Sequence, residues 1–284
     1  MKGCPLRCLW CHNPETQKKR QELLFYADQC VCCGRCVKAC QNGAHLLQTQ
    51  ERDFGKPVHI YVREKCTLCG ACAAVCPAEA LEMTGEDVEA SKVVKRLLRD
   101  RAFYENSGGG VTLSGGEPLF QLAFTEEILR GCKAEGLHTC LDTSGVGASP
   151  EEISRLTKEH LVDLYLYDLK ETDDARHRDA TGVPFQTVLD NLEAVSCAGG
   201  RIRLRCPIIP GVNDRDAHLS RVGAIAETLP GVEAVDLIPY HRLGLVKAMA
   251  LSESQQEFAA LEEEQKKAFS DLVKHETKKP VQWL

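Results

Sequence analysis

The chain has 284 residues, 43% of them hydrophobic, and a formal net charge of −6. That length suits one large core, or one core with a smaller module. No run of Lys or Arg is dense enough to predict nucleic-acid or membrane-surface binding. Apolar runs fall far short of the roughly 20 residues that a spanning helix needs, and cysteines stand where a secretory leader would have its apolar core. We therefore expect a cytoplasmic protein.

Cysteine is the unusual component of this composition. The chain has sixteen cysteines, and twelve of them lie in its first 76 residues. One interpretation is the disulfide framework of a small secreted domain, which requires an export signal and a loop-rich fold. The sequence shows neither feature, so we favour metal or iron–sulfur ligation.

The first segment in chain order, residues 1–27, carries three cysteines in a CxxxCxxC pattern. They are Cys4, Cys8 and Cys11. A cubane iron–sulfur cluster needs four ligands, so either a fourth comes from elsewhere or one iron stays open. An open coordination position is where a metal centre binds its substrate.

The second segment, residues 28–84, contains the same cysteine pattern twice. The two runs are Cys30-x2-Cys33-x2-Cys36-x3-Cys40 and Cys66-x2-Cys69-x2-Cys72-x3-Cys76-Pro77. This is the spacing of bacterial two-cluster ferredoxins, in which the fourth cysteine of each run ligates the other cluster. One [4Fe-4S] cluster would be held by Cys30, Cys33, Cys36 and Cys76, and the other by Cys66, Cys69, Cys72 and Cys40.

Two structural zinc sites are the alternative for this segment, because CxxC pairs also bind zinc. Zinc needs only two short pairs of ligands and does not call for the doubled run, so we favour iron–sulfur clusters. One departure from the ferredoxin pattern is Gln41, which follows Cys40 where proline is expected. Cys32 is surplus to the two ligand sets.

The third segment, residues 85–284, alternates between strand and helix periodicity. A helix is predicted around Val93 to Leu98, followed by five strands at 111–113, 137–141, 161–169, 202–206 and 232–238. Helices are predicted between the strands: one capped near Thr125, one starting at Ser149, one holding Phe185 to Val195, one between the last two strands, and a closing helix at 255–274. Alternating elements predict an α/β fold with a parallel sheet.

Four cysteines of this third segment stand alone within helices or strands. We interpret them as buried small hydrophobic residues and not as ligands. They are Cys132, Cys140, Cys197 and Cys206.

The opening pattern, with Trp10 before its last cysteine, resembles the cluster motif of radical S-adenosylmethionine (SAM) enzymes. More narrowly, "KGCPLRCLWCHNPE" resembles the cluster loop of the activating enzymes of glycyl radical enzymes. Further stretches resemble successive strand ends of that family, in the same order and spacing, between residues 3 and 247. They are "VTLSGGEPL", "CLDTSG", "LYLYDLK", "RCPIIPGVND" and "IPYHRLG". The doubled cysteine run resembles the insert of the larger members.

The resemblance implies site residues at these strand ends. The cofactor-binding set would be Trp10, Gly115, Gly116, Glu117, Asp142, Asp168, Lys170, Arg205 and His241, with Lys170 and His241 also catalytic. Gly115, Gly116 and Glu117 would meet the amino group of SAM, and Lys170 would lie near its carboxylate. Asp142 and Asp168 would share a monovalent cation beside it.

Each residue also has a structural interpretation. The two aspartates could cap helices, Lys170 could be a solvated surface charge, and His241 a loop histidine. Their joint occurrence at strand ends favours function, since the active sites of βα barrels lie at that edge.

The resemblance further implies a partial (β/α)6 barrel with an inserted ferredoxin-like domain. Such enzymes use three [4Fe-4S] clusters, one of them open to SAM, to make a 5′-deoxyadenosyl radical that takes a hydrogen from a backbone glycine of a partner enzyme. The chain has no RVxGY-like glycyl loop of its own. We expect a monomer that binds neither nucleic acid nor membrane. Ferredoxin or flavodoxin would reduce it, and the insert clusters would either relay these electrons or shape the surface on which the partner docks.

Two other functions stay open on the sequence. One is a radical SAM enzyme that acts on a small molecule or another peptide, and the other is a non-catalytic iron–sulfur electron carrier or inactive paralogue. Family members also have a segment before the cluster loop, with the first barrel strand and a "DGPGxR" turn. We expect this chain to lack that strand, which would expose a strand edge, and to be less stable and less active than a version extended upstream.

Overall fold

A computed structural model describes residues 1–49 and 57–284 of the chain. The cysteine-rich part contains two antiparallel pairs, in which β1 pairs with β4 and β2 with β3. Its strands are β1 (Glu22–Phe25), β2 (His45–Thr49), β3 (Pro57–Tyr61) and β4 (Leu81–Thr84). Its two short helices are α1 (Arg35–Ala39) and α2 (Ala71–Ala74). Because β1 pairs with β4, the end of the first predicted segment forms one small sheet with the end of the second.

The backbone repeats itself in the two cysteine runs. Gly34 and Gly70 cap α1 and α2 with φ values of 73° and 75°, in the left-handed region that glycine favours. Cys32 and Leu68, at matching positions, also have positive φ, 51° and 57°. The internal repeat predicted from the cysteine spacing is therefore confirmed, and Cys32 corresponds in it to an apolar residue.

The rest of the chain forms a parallel sheet of six strands in the order β10-β9-β8-β7-β6-β5. The strands are β5 (Val111–Leu113), β6 (Thr139–Thr143), β7 (Leu164–Asp168), β8 (Ile202–Ile208), β9 (Val232–Pro239) and β10 (Val281–Trp283). Each strand pairs with the next along the chain, so the connections wind in one direction without reversal. The predicted α/β fold with a parallel sheet is confirmed, and the cysteine-rich part precedes the sheet along the chain.

Nine helices accompany this sheet in the described part of the chain. They are α3 (Ala90–Leu97), α4 (Arg101–Ser107), α5 (Leu122–Ala134), α6 (Pro150–Lys158), α7 (Asp174–Thr181), α8 (Phe185–Cys197), α9 (Asp216–Thr228), α10 (Leu243–Ala250) and α11 (Glu263–Glu276). The start predicted at Ser149 is confirmed, because Ser149 and Glu152 form a reciprocal capping box. None of the helices within 1–49 and 57–284 is long and apolar enough to cross a bilayer.

The core lies between the sheet and the helices. Tyr165 and Tyr167 on β7 are fully buried, and each hydroxyl has a partner. The Tyr165 hydroxyl lies 2.8 Å from the Thr157 hydroxyl, and that of Tyr167 donates to the Val188 carbonyl at 2.7 Å. Satisfied hydroxyls let β7 stay central in an apolar core at little desolvation cost.

The predicted number of main-sheet strands, five, is wrong. The sixth strand, β10, has only three residues, too few for an alternating pattern to show in the sequence. It pairs with β9, at the edge opposite β5. The strand count therefore gives no argument about residues upstream of Met1.

Three local predictions are also wrong. The closing helix begins at Glu263 and not at 255, because the preceding residues pack on the cysteine loop instead: Gln255 Nε2 donates to the Cys11 carbonyl at 2.8 Å. Thr125 lies inside α5, where its hydroxyl donates to the Pro118 carbonyl. Cys197 is exposed, unlike the other three isolated cysteines, which are buried as predicted.

The β10 edge gives a test of the fold. Trp283 Nε1 donates to the Ser270 hydroxyl at 2.7 Å and to the Lys266 carbonyl at 3.1 Å, which ties β10 to α11. Trp283→Phe keeps an aromatic ring and removes the donor, so we expect the free energy of unfolding to fall by about 1 kcal/mol. Anaerobic urea unfolding measures it. Leu284→Ala, at a side chain that is 61% exposed, is the control, and an equal loss in both variants would contradict the assignment.

Candidate active site

Two apolar side chains hold the loop that carries the first three cysteines. Leu6 and Trp10 alternate with the cysteines and are 2% and 3% exposed. Trp10 packs with Ile209, Tyr240 and Phe258 in a small apolar cluster. The CxxxCxxC spacing thus leaves room for two buried anchors between the thiols.

Glycines let the backbone of this loop approach the strand ends. Gly116 N–H donates to the Met1 carbonyl at 2.9 Å, and a Cβ on Gly116 would lie 2.3 Å from the Gly3 carbonyl oxygen. A Cβ on Gly244, in α10, would lie 2.2 Å from the Cys11 carbonyl oxygen. Neither gap admits a side chain, so these glycines are required by packing, whatever they contact in a ligand.

One cavity brings together the three thiols and the predicted strand-end residues. It is lined by Cys4, Cys8, Cys11, Trp10, Gly115, Gly116, Glu117, Asp142, Asp168, Lys170, Arg205 and His241, among others. These residues come from the loop and from the carboxyl ends of β5 to β9. Parallel strands end at one edge, which is why residues so far apart in sequence meet.

Two ion pairs lie in the floor of this cavity. Arg205 Nη1 donates to Asp142 at 2.9 Å, and Lys170 Nζ donates to Asp168 at 2.6 Å. Burial raises the pKa of Asp142, and the nearby Asp168 raises it further, while Arg205 opposes both. Burial alone would lower the pKa of Lys170, but the charge of Asp168 and the hydrogen bond to it outweigh burial, so the pKa is raised and the ammonium persists. The interpretation of Lys170 as a solvated surface charge is wrong, since its side chain is 14% exposed.

Neither Asp142 nor Asp168 caps a helix, so the interpretation of these residues as helix caps is wrong. The caps of α6 and α7 are Ser149 and Asp173. Asp142 instead accepts a second hydrogen bond from the Ser114 hydroxyl at 2.7 Å. Both carboxylates are thus held at the cavity by groups of the protein itself.

Glu117 is occupied by the protein's own donors. Its carboxylate accepts from the Thr143 hydroxyl, from the backbone and hydroxyl of Ser144, and from Leu119 N–H, at 2.6 to 3.1 Å. Burial raises the pKa of Glu117 to about 6, although these hydrogen bonds lower it. Glu117 therefore fastens the loop after β5 to the loop after β6, and this fixes the position of Gly115 and Gly116.

His12 is a residue of the cavity that the sequence analysis did not single out. Its ring stacks on His241 with the centroids 3.7 Å apart, and its Nε2 is buried without a hydrogen-bond partner. Burial, followed by the neighbouring His241, lowers the pKa of His12 to about 4, so the ring is neutral. The available signal was its place directly after Cys11 in a loop already assigned to the site.

The thiol chemistry fits a metal cluster. Burial raises the pKa of Cys4 to about 11 and that of Cys8 to about 12, so neither is a thiolate at neutral pH without a cation to stabilise it. Both cysteines are free, as is Cys11. The buried Arg205 Nε also lacks a partner. Three converging thiols and unsatisfied polar atoms at one cavity suit a cluster with a polar ligand on it.

The cysteines of the insert converge as well. The four thiols of one predicted cluster, Cys30, Cys33, Cys36 and Cys76, line a single cavity that also contains His59. From the other predicted set, Cys66 and Cys72 pack around the apolar cluster of Leu23 and Leu81. All of these cysteines are free thiols. Cys76, the fourth cysteine of the second run, thus lies beside the three cysteines of the first run.

Comparison with known families identifies two regions. Residues 63–221 match the Radical SAM superfamily, and residues 3–92 match the 4Fe-4S dicluster domain. The first match covers the end of the insert and much of the parallel sheet, and the second includes all twelve clustered cysteines.

Individual relatives agree with these matches. The chain is 41% identical to the benzylsuccinate synthase activating enzyme of Thauera aromatica, over 86% of this chain and 73% of that protein. It is 39% identical to the choline trimethylamine-lyase activating enzyme of Oleidesulfovibrio alaskensis, over 87% and 78%. A domain of the pyruvate-formate lyase-activating enzyme from Bacteroides vulgatus has a similar structure, with a TM-score of 0.52, 27% identity, and coverage of 61% of this chain and 98% of that one.

Gly244 provides a test of the loop packing. Ala favours an exposed helix over Gly by about 1 kcal/mol, yet Gly244→Ala would push a methyl group into the Cys11 carbonyl. We expect the variant to fold and to bind less iron than the parent after anaerobic reconstitution, because the cysteine loop would be displaced, and iron analysis measures this. Met249→Ala, on the exposed side of α10, is the control. Full iron content in Gly244→Ala would contradict the packing argument.

Proposed function

The chain belongs to the activating enzymes of glycyl radical enzymes, within the radical SAM superfamily, and on that premise we propose that the cavity at the carboxyl ends of β5 to β9 is its active site. Enzymes of this family cleave SAM reductively and generate a glycyl radical on a partner enzyme. The protein is an enzyme of this kind, and it uses iron–sulfur clusters and SAM. Which residues do this, and how many clusters take part, are the finer points of the proposal.

The observation that carries the proposal is the shared cavity of three free thiols and two buried ion pairs. Cys4, Cys8 and Cys11 would hold a [4Fe-4S] cluster with one open iron. When bound, such a cluster chelates SAM and supplies the electron that cleaves its sulfonium bond. Among the residues that the structure describes, three cysteines line this cavity, which suits an iron left open for a substrate.

The roles of the strand-end residues follow from charge and position. The buried ammonium of Lys170 provides positive charge for a carboxylate of SAM, and the free Nε of Arg205 is a further donor. Gly115 and Gly116 line the same cavity as the thiols. Lys170 and His241 are the candidates for catalytic residues, and the His12 ring stacked on His241 gives a flat wall suited to an aromatic base.

Three [4Fe-4S] clusters in total are part of the proposal: one at the first three cysteines and two in the insert. The insert clusters would pass electrons from ferredoxin or flavodoxin toward the site. A monovalent cation near Asp142 and Asp168 is also proposed, and it would share carboxylates that already bind Arg205 and Lys170. Because such clusters require a reducing compartment, we propose a cytoplasmic location.

The domain division and the closure of the sheet remain proposals too. We assign residues 1–27 to the cluster loop, 28–84 to the ferredoxin-like insert and 85–284 to the rest of a partial (β/α)6 barrel. Support comes from the sequential order of the parallel strands, which suits a barrel segment. A monomer with one open side would leave room for a large partner.

A groove beside the cavity supports a route for that partner. It has a volume of about 860 Å³ and shares His12 and His241 with the cavity. One wall is α10, whose Leu243 and Val246 are 69% and 52% exposed, and the insert forms another wall. We propose that the glycine-bearing loop of the partner enters along this groove.

The first test of this function is chemical. After anaerobic reconstitution with iron and sulfide, the chain should bind about twelve irons, as three cubanes require, and should release 5′-deoxyadenosine when reduced with SAM. The triple variant Cys4→Ala/Cys8→Ala/Cys11→Ala should keep about eight irons and should release no 5′-deoxyadenosine. Chromatography measures the product and iron analysis the clusters.

The outcomes of this test are distinct. Absence of 5′-deoxyadenosine from the parent would refute catalysis and leave an electron carrier. Equal product from the triple variant would refute the assignment of the cysteines.

The second test addresses the groove. Val246→Lys places a charge on its α10 wall, so we expect the glycyl radical formed per SAM cleaved to fall about tenfold, as EPR measures with partners of the choline trimethylamine-lyase and benzylsuccinate synthase types. Phe103→Lys, at an exposed site on α4, is the control. If neither variant alters the yield while a partner is activated, the partner docks elsewhere.

A further inference from the structure

A pair of buried histidines lies against one set of insert thiols. His45 on β2 is 1% exposed and His59 on β3 is 7% exposed. His59 Nδ1 lies 3.3 Å from Cys30 Sγ, and its Nε2 lies 3.6 Å from Cys36 Sγ. His45 Nδ1 lies 3.0 Å from His59 Nε2. The hairpin thus sends one imidazole to the thiols and a second imidazole behind it.

The donor and acceptor in each contact from His45 through His59 to Cys30 can be assigned from the chemistry of the thiol. Thiolates that ligate iron have no proton to donate, so the His59 nitrogen nearest a thiolate, Nδ1, must carry a proton and donate it. In a neutral ring Nε2 is then an acceptor, and His45 Nδ1–H, 3.0 Å away, is the donor that faces it. The longer approach of Nε2 to Cys36 Sγ, at 3.6 Å, is then a packing contact and not a hydrogen bond. His45 therefore fixes the tautomer of His59 that points an N–H at Cys30.

A mononuclear metal is the rival occupant of this cluster of side chains. Ligand atoms of Cys36, His45 and His59 lie within 4.8 Å of one another, close enough for one ion. That site would remove Cys36 from the cavity that it shares with Cys30, Cys33 and Cys76. Both nitrogens of His59 would also have to serve, one toward the ion and one toward Cys30. The contacts are accounted for more simply by hydrogen bonds to a cluster.

We propose that His59, oriented by His45, donates an N–H···S hydrogen bond to the cluster held by Cys30, Cys33, Cys36 and Cys76 and raises the reduction potential of that cluster. This inference rests on the proposed function, because it requires clusters in the insert. A hydrogen bond to a ligating sulfur stabilises the more negative, reduced cluster, and such bonds are one of the means by which proteins set these potentials. His59 and His45 are positioning residues in this account, acting on the potential and not on SAM.

The same strand offers a matched control. Tyr61 lies two residues after His59 on β3, and its hydroxyl is near Cys66 of the other predicted cluster. Burial raises the pKa of Tyr61, and the Cys66 thiol raises it further. A substitution at Tyr61 therefore perturbs the same hairpin, but near the second predicted cluster. Comparing it with the His59 variant distinguishes general damage to the hairpin from loss of the His59 hydrogen bond.

The experiment measures two reduction potentials. The full chain carrying Cys4→Ala/Cys8→Ala/Cys11→Ala is reconstituted anaerobically, so that only insert clusters contribute, and potentiometric titration is followed by EPR. His59→Leu should move one of the two potentials to a more negative value without changing the iron content. His45→Phe should move the same potential in the same direction by less, and Tyr61→Phe should leave that potential in place. His59→Gln, which keeps a donor N–H, should restore part of the shift.

Several outcomes would overturn the proposal. Unchanged potentials in His59→Leu at full iron content would exclude the hydrogen bond as a determinant. If His59→Leu loses its cluster, the His45→Phe variant is the test. Reduction potentials of His45→Phe identical to those of the parent would then overturn the inference. A parent that binds zinc and fewer than about eight irons would refute the insert clusters themselves. That result is a failure of the proposed function and is separate from a failure of the histidine pair.

Discussion

The fold depends on close contact between the backbone of the cysteine loop and the ends of the parallel strands. The carbonyls of Gly3 and Cys11 lie against Gly116 and Gly244 at distances that exclude any side chain. Each contact joins residues more than a hundred positions apart in sequence. Because a cluster tolerates little movement of its ligands, this packing is the precondition for everything else at the site.

Charge at the strand ends is arranged around that contact. The carboxylates of Asp142 and Asp168 would repel each other in a buried cavity, and Arg205 and Lys170 neutralise them in place. The pairs keep two cations beside the thiols without requiring a solvent counterion. Buried ion pairs of this kind contribute little net stability to the fold. Their contribution is an electrostatic field of fixed orientation at the place where a charged ligand would bind.

In the insert, by contrast, the backbone around the cysteines is determined by local sequence. Each cysteine run folds through a left-handed glycine into a short helix, and the two runs do so almost identically. The hairpin of β2 and β3 breaks this symmetry, because His59 reaches the thiols of one cluster and Tyr61 those near the other. The two proposed clusters, which would have similar ligands, would thus receive different surroundings.

The sequence by itself determined the cysteine spacing, the internal repeat, the capped start of α6 and the order of strands β5 to β9, because each of these is encoded over a few neighbouring residues. The resemblance added the strand-end residues, all of which line one cavity. Tertiary structure decided the rest. It placed β10 on β9, kept residues 255–262 from helix by packing them on the cysteine loop, occupied Glu117 with internal hydrogen bonds, and stacked His12 on His241. These features depend on contacts between distant segments, and local periodicity carries no information about such contacts.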